Sequence, residues 1–138
     1  MEQTLAILKP DTVKQNAIGD VLNRIETDGL KIRTLKMLQL AEAQAEEFYA
    51  EHKGSEFFEG LVEFMTSGPV VAVVVEGEDA ISRLRNLMGA TDPDEAAPGT
   101  IRAELDGGLP NNIIHGSDSP ESAERELNFF FSEAERIA

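Results

Sequence analysis

Val70-Val71-Ala72-Val73-Val74-Val75 carries no polar side chain at any position. Such an uninterrupted apolar run is the best candidate in the chain for a central strand. Ser67-Gly68-Pro69 breaks the pattern just before it, and upstream Phe57, Phe58, Leu61, Val62 and Met65 recur at helical spacing after a Gly54-Ser55 turn. Ala41, Ala45, Phe48, Tyr49 and His52 follow the same 3.6-residue period. Between Leu30 and Leu40 the even positions are mostly apolar, which predicts a strand with one covered face. Ala17, Val21, Leu22 and Ile25 predict a helix ending at Asp28-Gly29, and Thr4 to Leu8 a short buried strand closed by Lys9-Pro10. Downstream, Ala80, Ile81, Leu84, Leu87 and Met88 predict another amphipathic helix. After Gly89 the periodicity fades, with a short helical candidate at Thr100 to Leu105, until a helix that starts at Pro120. Phe129 to Phe131 then offers a last edge strand. Strands interleaved with helices indicate an α/β or α+β sandwich, and the pattern alone does not set the strand order. Without repeats, low-complexity tracts or a linker, residues 1–138 read as one domain.

Composition narrows the function. Hydrophobic residues make up 41% of 138 residues, enough for a globular core, and no apolar run approaches the ~20 residues of a membrane span. No secretory signal is recognisable, and without cysteine there is neither a disulfide framework nor a thiolate metal site. A cytoplasmic protein is the expectation. Twelve Lys and Arg stand against 26 Asp and Glu, a formal net charge of −14. That balance repels nucleic acid, and it would repel a nucleotide unless cations were gathered around the site. The acid excess reads as a halophilic surface, kept hydrated at high salt.

The chemistry concentrates in Asn112-Ile113-Ile114-His115-Gly116-Ser117-Asp118-Ser119-Pro120 and the helix that follows. One of only two histidines stands beside a glycine, which would leave room for a bulky substrate atom to approach the ring. Ser119 fits an N-cap and Pro120 the first helical position, so Ala123, Glu126 and Leu127 share a helix face. Glu126 can then point back at His115, fix its tautomer and leave the other ring nitrogen free to attack. A loop histidine is more often a surface or structural residue, and Glu126 would ordinarily be solvated. Lys9 at the end of the first strand, Arg85 and Arg102 are candidate phosphate cations. Residue chemistry alone does not single these three out from the twelve.

Together with Thr4 to Pro10 (TLAILKP), Ser67 to Val71 (SGPVV) and Pro98 to Arg102 (PGTIR), the His115 segment resembles the nucleoside diphosphate kinase family, in order, at the family's spacing and over essentially the whole chain. The resemblance implies an α+β fold: a ferredoxin-like βαββαβ antiparallel sheet with helices on one face and an inserted loop near the active site. It also implies transfer of the γ-phosphate of a nucleoside triphosphate to a nucleoside diphosphate through a phosphohistidine at His115. The neutral imidazole is the attacking species, so acid should slow the reaction. Lys9, Arg85, Thr91 and Arg102 would take the phosphates, with Lys9 also near the ribose hydroxyls that Asn112 contacts. Phe57 would stack on the base with Leu61 beside it; Tyr49 would support the phosphates and His115; Ser117 and Glu126 would position the histidine. Asp118 would act through water on Mg²⁺, itself held mainly by nucleotide phosphates. The short type further implies a homo-oligomer, a dimer or a tetramer of dimers.

Competing explanations stand beside each role. Phe57 and Tyr49 lie on helical stripes that could be core, Asp118 could cap the helix, and His52, on the same stripe as Tyr49, is read as structural. A flat apolar face tells purine from pyrimidine poorly, so broad use of ribo- and deoxyribonucleotides is expected. The chain departs from the family pattern at Leu109, where relatives carry a valine closing the base slot, and at Pro110-Asn111. The rival functions are a histidine phosphocarrier serving a protein acceptor and a non-catalytic nucleotide-binding module.

Overall fold

The apolar run from Val70 to Val75 lies inside the strand β3 (Val70–Gly77) of a computed structural model that describes residues 1–90, 96–105 and 113–136. The sheet is completed by β1 (Glu2–Leu8), β2 (Lys31–Leu38) and β4 (Ile114–Gly116), in the order β2-β3-β1-β4. Every neighbouring pair is antiparallel, with Leu8 opposite both Val71 and Ile114. That order, with β1 and β3 central, is the βαββαβ arrangement of the ferredoxin-like fold. Helices α1 (Pro10–Lys14), α2 (Ile18–Thr27), α3 (Glu42–Phe48), α4 (Phe58–Met65), α5 (Ala80–Met88), α6 (Ile101–Leu105) and α7 (Pro120–Phe130) intervene or follow. None of the described helices is long and apolar enough to cross a membrane.

Helices cover both faces of the sheet, not one. Leu5, Ile7, Val70, Ala72 and Val74 pack with Phe48, Met65, Leu127 and Phe130 from α3, α4 and α7. Ala6, Leu8, Val71, Val73 and Val75 pack with Val21, Ile25, Leu84, Met88 and Ile101 from α2, α5 and α6. The reason lies in β3 itself. A strand apolar at every position presents two apolar faces, and leaving either in water would forgo roughly 1.5–3 kcal/mol for each large side chain. On β2 the alternation is half realised. Ile32, Thr34 and Leu38 are partly covered, a register irregularity lies between Ile32 and Thr34, and Leu35 (47% exposed) and Met37 (56%) face outward on the sheet edge.

The edge strand expected at Phe129 to Phe131 is a helix end instead. Residues Ala123, Glu126, Leu127 and Phe130 form one buried helical stripe of α7, and only Phe131 turns extended. Aromatic residues favour strands only weakly, and here packing against β1 and the Phe48 ring, whose centroid is 5.2 Å from that of Phe130, overrides that preference. The fourth strand is the short segment carrying His115.

Candidate active site

Pairing of β4 with β1 sets His115 opposite Ile7, and the chain leaves β1 two residues later at Lys9. Pro10 occupies the first turn of α1, where its missing N–H costs nothing, so β1 passes abruptly into a helix and Lys9 is left at the junction. Gly116 answers a different need from the one its position beside His115 suggests. A Cβ there would lie 2.6 Å from the Met88 sulfur and 3.3 Å from Leu84, so its missing side chain lets β4 close onto α5 rather than keeping space for substrate. That closure brings Arg85, on α5, to donate to the Gly116 carbonyl at 2.9 Å.

Ser119 caps α7 by accepting from the Ser122 N–H at 3.1 Å, and the helix then carries Glu126 back toward the strand. Glu126 is 6% exposed. One of its oxygens, Oε1, lies 2.8 Å from His115 Nε2 and accepts from the Ser117 hydroxyl at 2.7 Å. A buried carboxylate needs such partners. Burial alone pushes its pKa up, but the bonds from His115 and Ser117 outweigh that and hold it below the usual glutamate value. An ionised carboxylate can only accept, so Nε2 carries the proton and Nδ1 keeps the lone pair. The Phe48 ring, 5.6 Å away and edge-on, bounds the imidazole on another side.

Three cations converge on the same place. Arg102 is buried and donates to the carbonyls of Gly89 (2.9 Å) and Ile114 (2.7 Å), which locks its planar fork. Burial, and then the charge of Arg85, lowers its pKa to about 10. Lys9 is buried as well; desolvation, followed by repulsion from Arg102, lowers its pKa to about 8. Like charges held together out of water are costly in the protein alone and gain from an arriving polyanion. Asp118 is exposed, and a hydrogen bond from the Ser122 side chain, with Arg85 and His115 nearby, lowers its pKa.

Lys9, Tyr49, Arg85, Arg102, His115, Asp118 and Glu126 line one cavity of about 250 Å³. Two larger hollows, of about 420 and 440 Å³, hold no nucleophile beside a base: the first is walled by Glu42, Glu46, Glu59 and Glu63, the second by Asp28, Arg83 and Thr100 among others. Chemistry, not size, selects the site. Tyr49 is buried, and its hydroxyl has no hydrogen-bond partner among the described residues, so a polar atom in the cavity would relieve it. Ser117 is buried behind Glu126. Phe57 caps α4 and is 57% exposed, whereas Phe58 beside it is core. Leu61 packs partly against the core on α4. Thr91, Leu109 and Asn112 lie outside the described residues.

Sequence reasoning missed His52 and Glu51, which also line the cavity. Tyr49 continues into a 3₁₀ turn, Ala50–His52, where residues three apart eclipse, so the His52 ring lies tilted beside that of Tyr49 (centroids 6.2 Å) and reaches toward Phe57 (5.9 Å). No signal in the residue types separates Tyr49 to His52 from a continued α-helix, because residues three apart share a face in both.

Residues 2–136 match the family model described as nucleoside diphosphate kinase. The nucleoside diphosphate kinase of Wolinella succinogenes is 57% identical over 132 residues, 96% of each chain. That of Rubrobacter xylanophilus is 58% identical over 131 residues, 95% of this chain and 98% of its own. Among solved structures, an Aquifex aeolicus nucleoside diphosphate kinase superposes with a TM-score of 0.96 at 49% identity, covering 99% of both chains. A halophilic nucleoside diphosphate kinase from Halobacterium salinarum, in complex with CDP, gives 0.93 at 49% identity, covering 99% of this chain and 91% of that one.

Proposed function

The chain belongs to the nucleoside diphosphate kinase family and transfers phosphate from nucleoside triphosphates to nucleoside diphosphates; from that premise we propose that His115 Nδ1 is the phosphate carrier and that the surrounding residues act as follows. The observation that carries the reading is the 2.8 Å contact of His115 Nε2 with buried Glu126, inside a cavity walled by three cations. Nδ1 attacks the γ-phosphorus; an N–P bond forms as the bond to the β,γ-bridging oxygen breaks, and the diphosphate leaves with the electron pair. A second diphosphate reverses the step. Glu126 and Ser117 hold the tautomer and stabilise the charge that the ring acquires. Lys9, Arg85 and Arg102 neutralise the transferring oxygens, and the Tyr49 hydroxyl, which has no partner among the described residues, donates to one of them. Thr91 and Asn112 take phosphate and ribose, and Phe57 stacks on the base beside Leu61 and Leu109, which makes base selection weak.

Mg²⁺ fits this site as a guest of the nucleotide. The described residues contain no cluster of carboxylates or histidines that could hold a metal alone, while Asp118 offers one exposed carboxylate, kept ionised, on the cavity wall. When bound with the phosphates, the ion would neutralise their charge. The enzyme is read as cytoplasmic, suited to high salt by its acidic surface, and a homo-oligomer, dimer or tetramer of dimers; the outward Leu35 and Met37 on the sheet edge give a second copy apolar surface to cover.

Incubation with γ-labelled ATP should yield an acid-labile, base-stable phosphoprotein that GDP or CDP discharges. A phosphoprotein that no diphosphate can discharge would mark a phosphocarrier instead; absence of label would mark a binding module.

A further inference from the structure

Ile113, two residues before the nucleophile, has φ +69°. The other described non-glycine residues with positive φ are Asn16 and Asp79, types whose short polar side chains tolerate it. A β-branched side chain crowds its own backbone there, so something must hold Ile113 in place. Three hydrogen bonds do. Its carbonyl accepts from the Lys9 N–H at 2.8 Å and from the Thr12 hydroxyl at 2.7 Å, and its N–H donates to Asp11 Oδ2 at 3.1 Å. All three partners come from Lys9, at the junction of β1 and α1, and the first helical turn after it, and the Ile113 side chain is completely buried.

Asp11 and Thr12 do not line the cavity. Thr12 is fully buried, and the second oxygen of Asp11 is buried with no hydrogen-bond partner among the described residues. Polar groups placed out of water at such cost call for a reason. The strand they hold supplies one. β4 pairs with β1 over only three residues at the sheet edge, too short to define its own offset, and a slip of one residue would turn His115 to the opposite face. The same segment begins with Lys9, so whatever holds Ile113 also sets the nucleophile against the cation.

We propose that Asp11 and Thr12 are positioning residues for phosphoryl transfer: by clamping the left-handed backbone of Ile113 they fix His115 relative to Lys9. This rests on the reading of His115 as the phosphate carrier. The clamp acts on geometry alone, so its loss slows the chemical step without weakening nucleotide binding.

The test compares substitutions that keep each bond with substitutions that remove it, in the full-length chain. Single-turnover phosphorylation of the protein by γ-labelled ATP and steady-state KM are measured for T12S and T12V, and for D11N and D11A. Thr12→Val keeps the shape and loses the hydroxyl; Asp11→Asn keeps an acceptor oxygen. T12V and D11A should label about ten- to hundredfold more slowly, with KM within about twofold of the parent. T12S and D11N should label at close to the parent rate. Parent rates in T12V and D11A overturn the proposal. Equal losses in T12S and T12V overturn it too, since the hydroxyl would not be the agent, as does a rise in KM matching the loss of rate, which marks general loosening. Should T12V fail to fold, the Asp11 pair decides by the same criteria. A parent protein that takes no label at all removes the functional reading itself, an outcome distinct from every pattern among the variants.

Discussion

The two ends of the cavity are built by opposite rules. At the inner end, His115, Glu126, Arg85 and Arg102 are each tied to a strand, a helix or a backbone carbonyl at 2.7–2.9 Å. At the outer end, His52 stands on a 3₁₀ turn, and beyond the cavity lining its ring centroid is 5.9 Å from that of Phe57, which caps a helix and is more than half exposed. Phosphoryl transfer is sensitive to sub-ångström misplacement and needs the first kind of construction. Stacking needs only a flat surface at the right depth and tolerates the second. Inner-end substitutions should therefore change kcat, outer-end substitutions KM.

The comparison breaks most decisively at His115. His115→Ala should abolish turnover while leaving the fold and nucleotide binding intact, at a cost of about 1–3 kcal/mol because buried Glu126 loses a partner; calorimetry and equilibrium binding check both halves, and substantial residual activity would refute a covalent route. Glu126→Gln comes next. The amide oxygen can still accept from His115 and Ser117 but carries no negative charge to stabilise the charge the ring acquires, so kcat should fall about 10- to 100-fold with little change in KM. Phe57→Ala should do the reverse, raising KM about tenfold for purine and pyrimidine nucleotides alike while kcat holds. A drop in kcat there would erase the distinction between the two ends. The smallest effect is a pH dependence. Lys9 is cationic in the free enzyme below about 8 and neutral above, so kcat/KM should decline as pH rises through that value, by roughly three- to tenfold between about pH 7 and about pH 9. Lys9→Met should remove that decline.

Much of this was legible in the chain because the physics was local. Ser119-Pro120 announces a helix start, and helical spacing from there puts Glu126 beside Ala123 and Leu127, which is how the buried stripe of α7 is arranged. The apolar run at Val70 located the central strand. What stayed hidden depended on contacts between distant segments. Periodicity could not reveal that α3, α4 and α7 lie on one side of the sheet and α2, α5 and α6 on the other. It gave Phe129 to Phe131 to a strand because aromatic residues suit strands, and the Phe48 ring that reclaims Phe130 for a helix comes from much earlier in the sequence. Lys9, Arg85 and Arg102 were indistinguishable from nine other cations until family resemblance chose them, since nothing in a Lys or Arg reports what it will be buried against. His52 was lost to an assumed helical period.

A negative molecule that buries two of its twelve cations, Lys9 and Arg102, at one cavity inverts the usual bearing of an anion-binding protein. From afar, a nucleoside triphosphate meets a net charge of −14 and is pushed away; within the last few ångströms it meets Lys9, Arg85 and Arg102. Dissolved ions shorten the reach of the first influence to ~10 Å at 0.1 M and screen the buried Lys9 and Arg102 less. Nucleotide capture should therefore fall less with added salt here than at a cleft on a basic protein, and a rate that drops as steeply would contradict this.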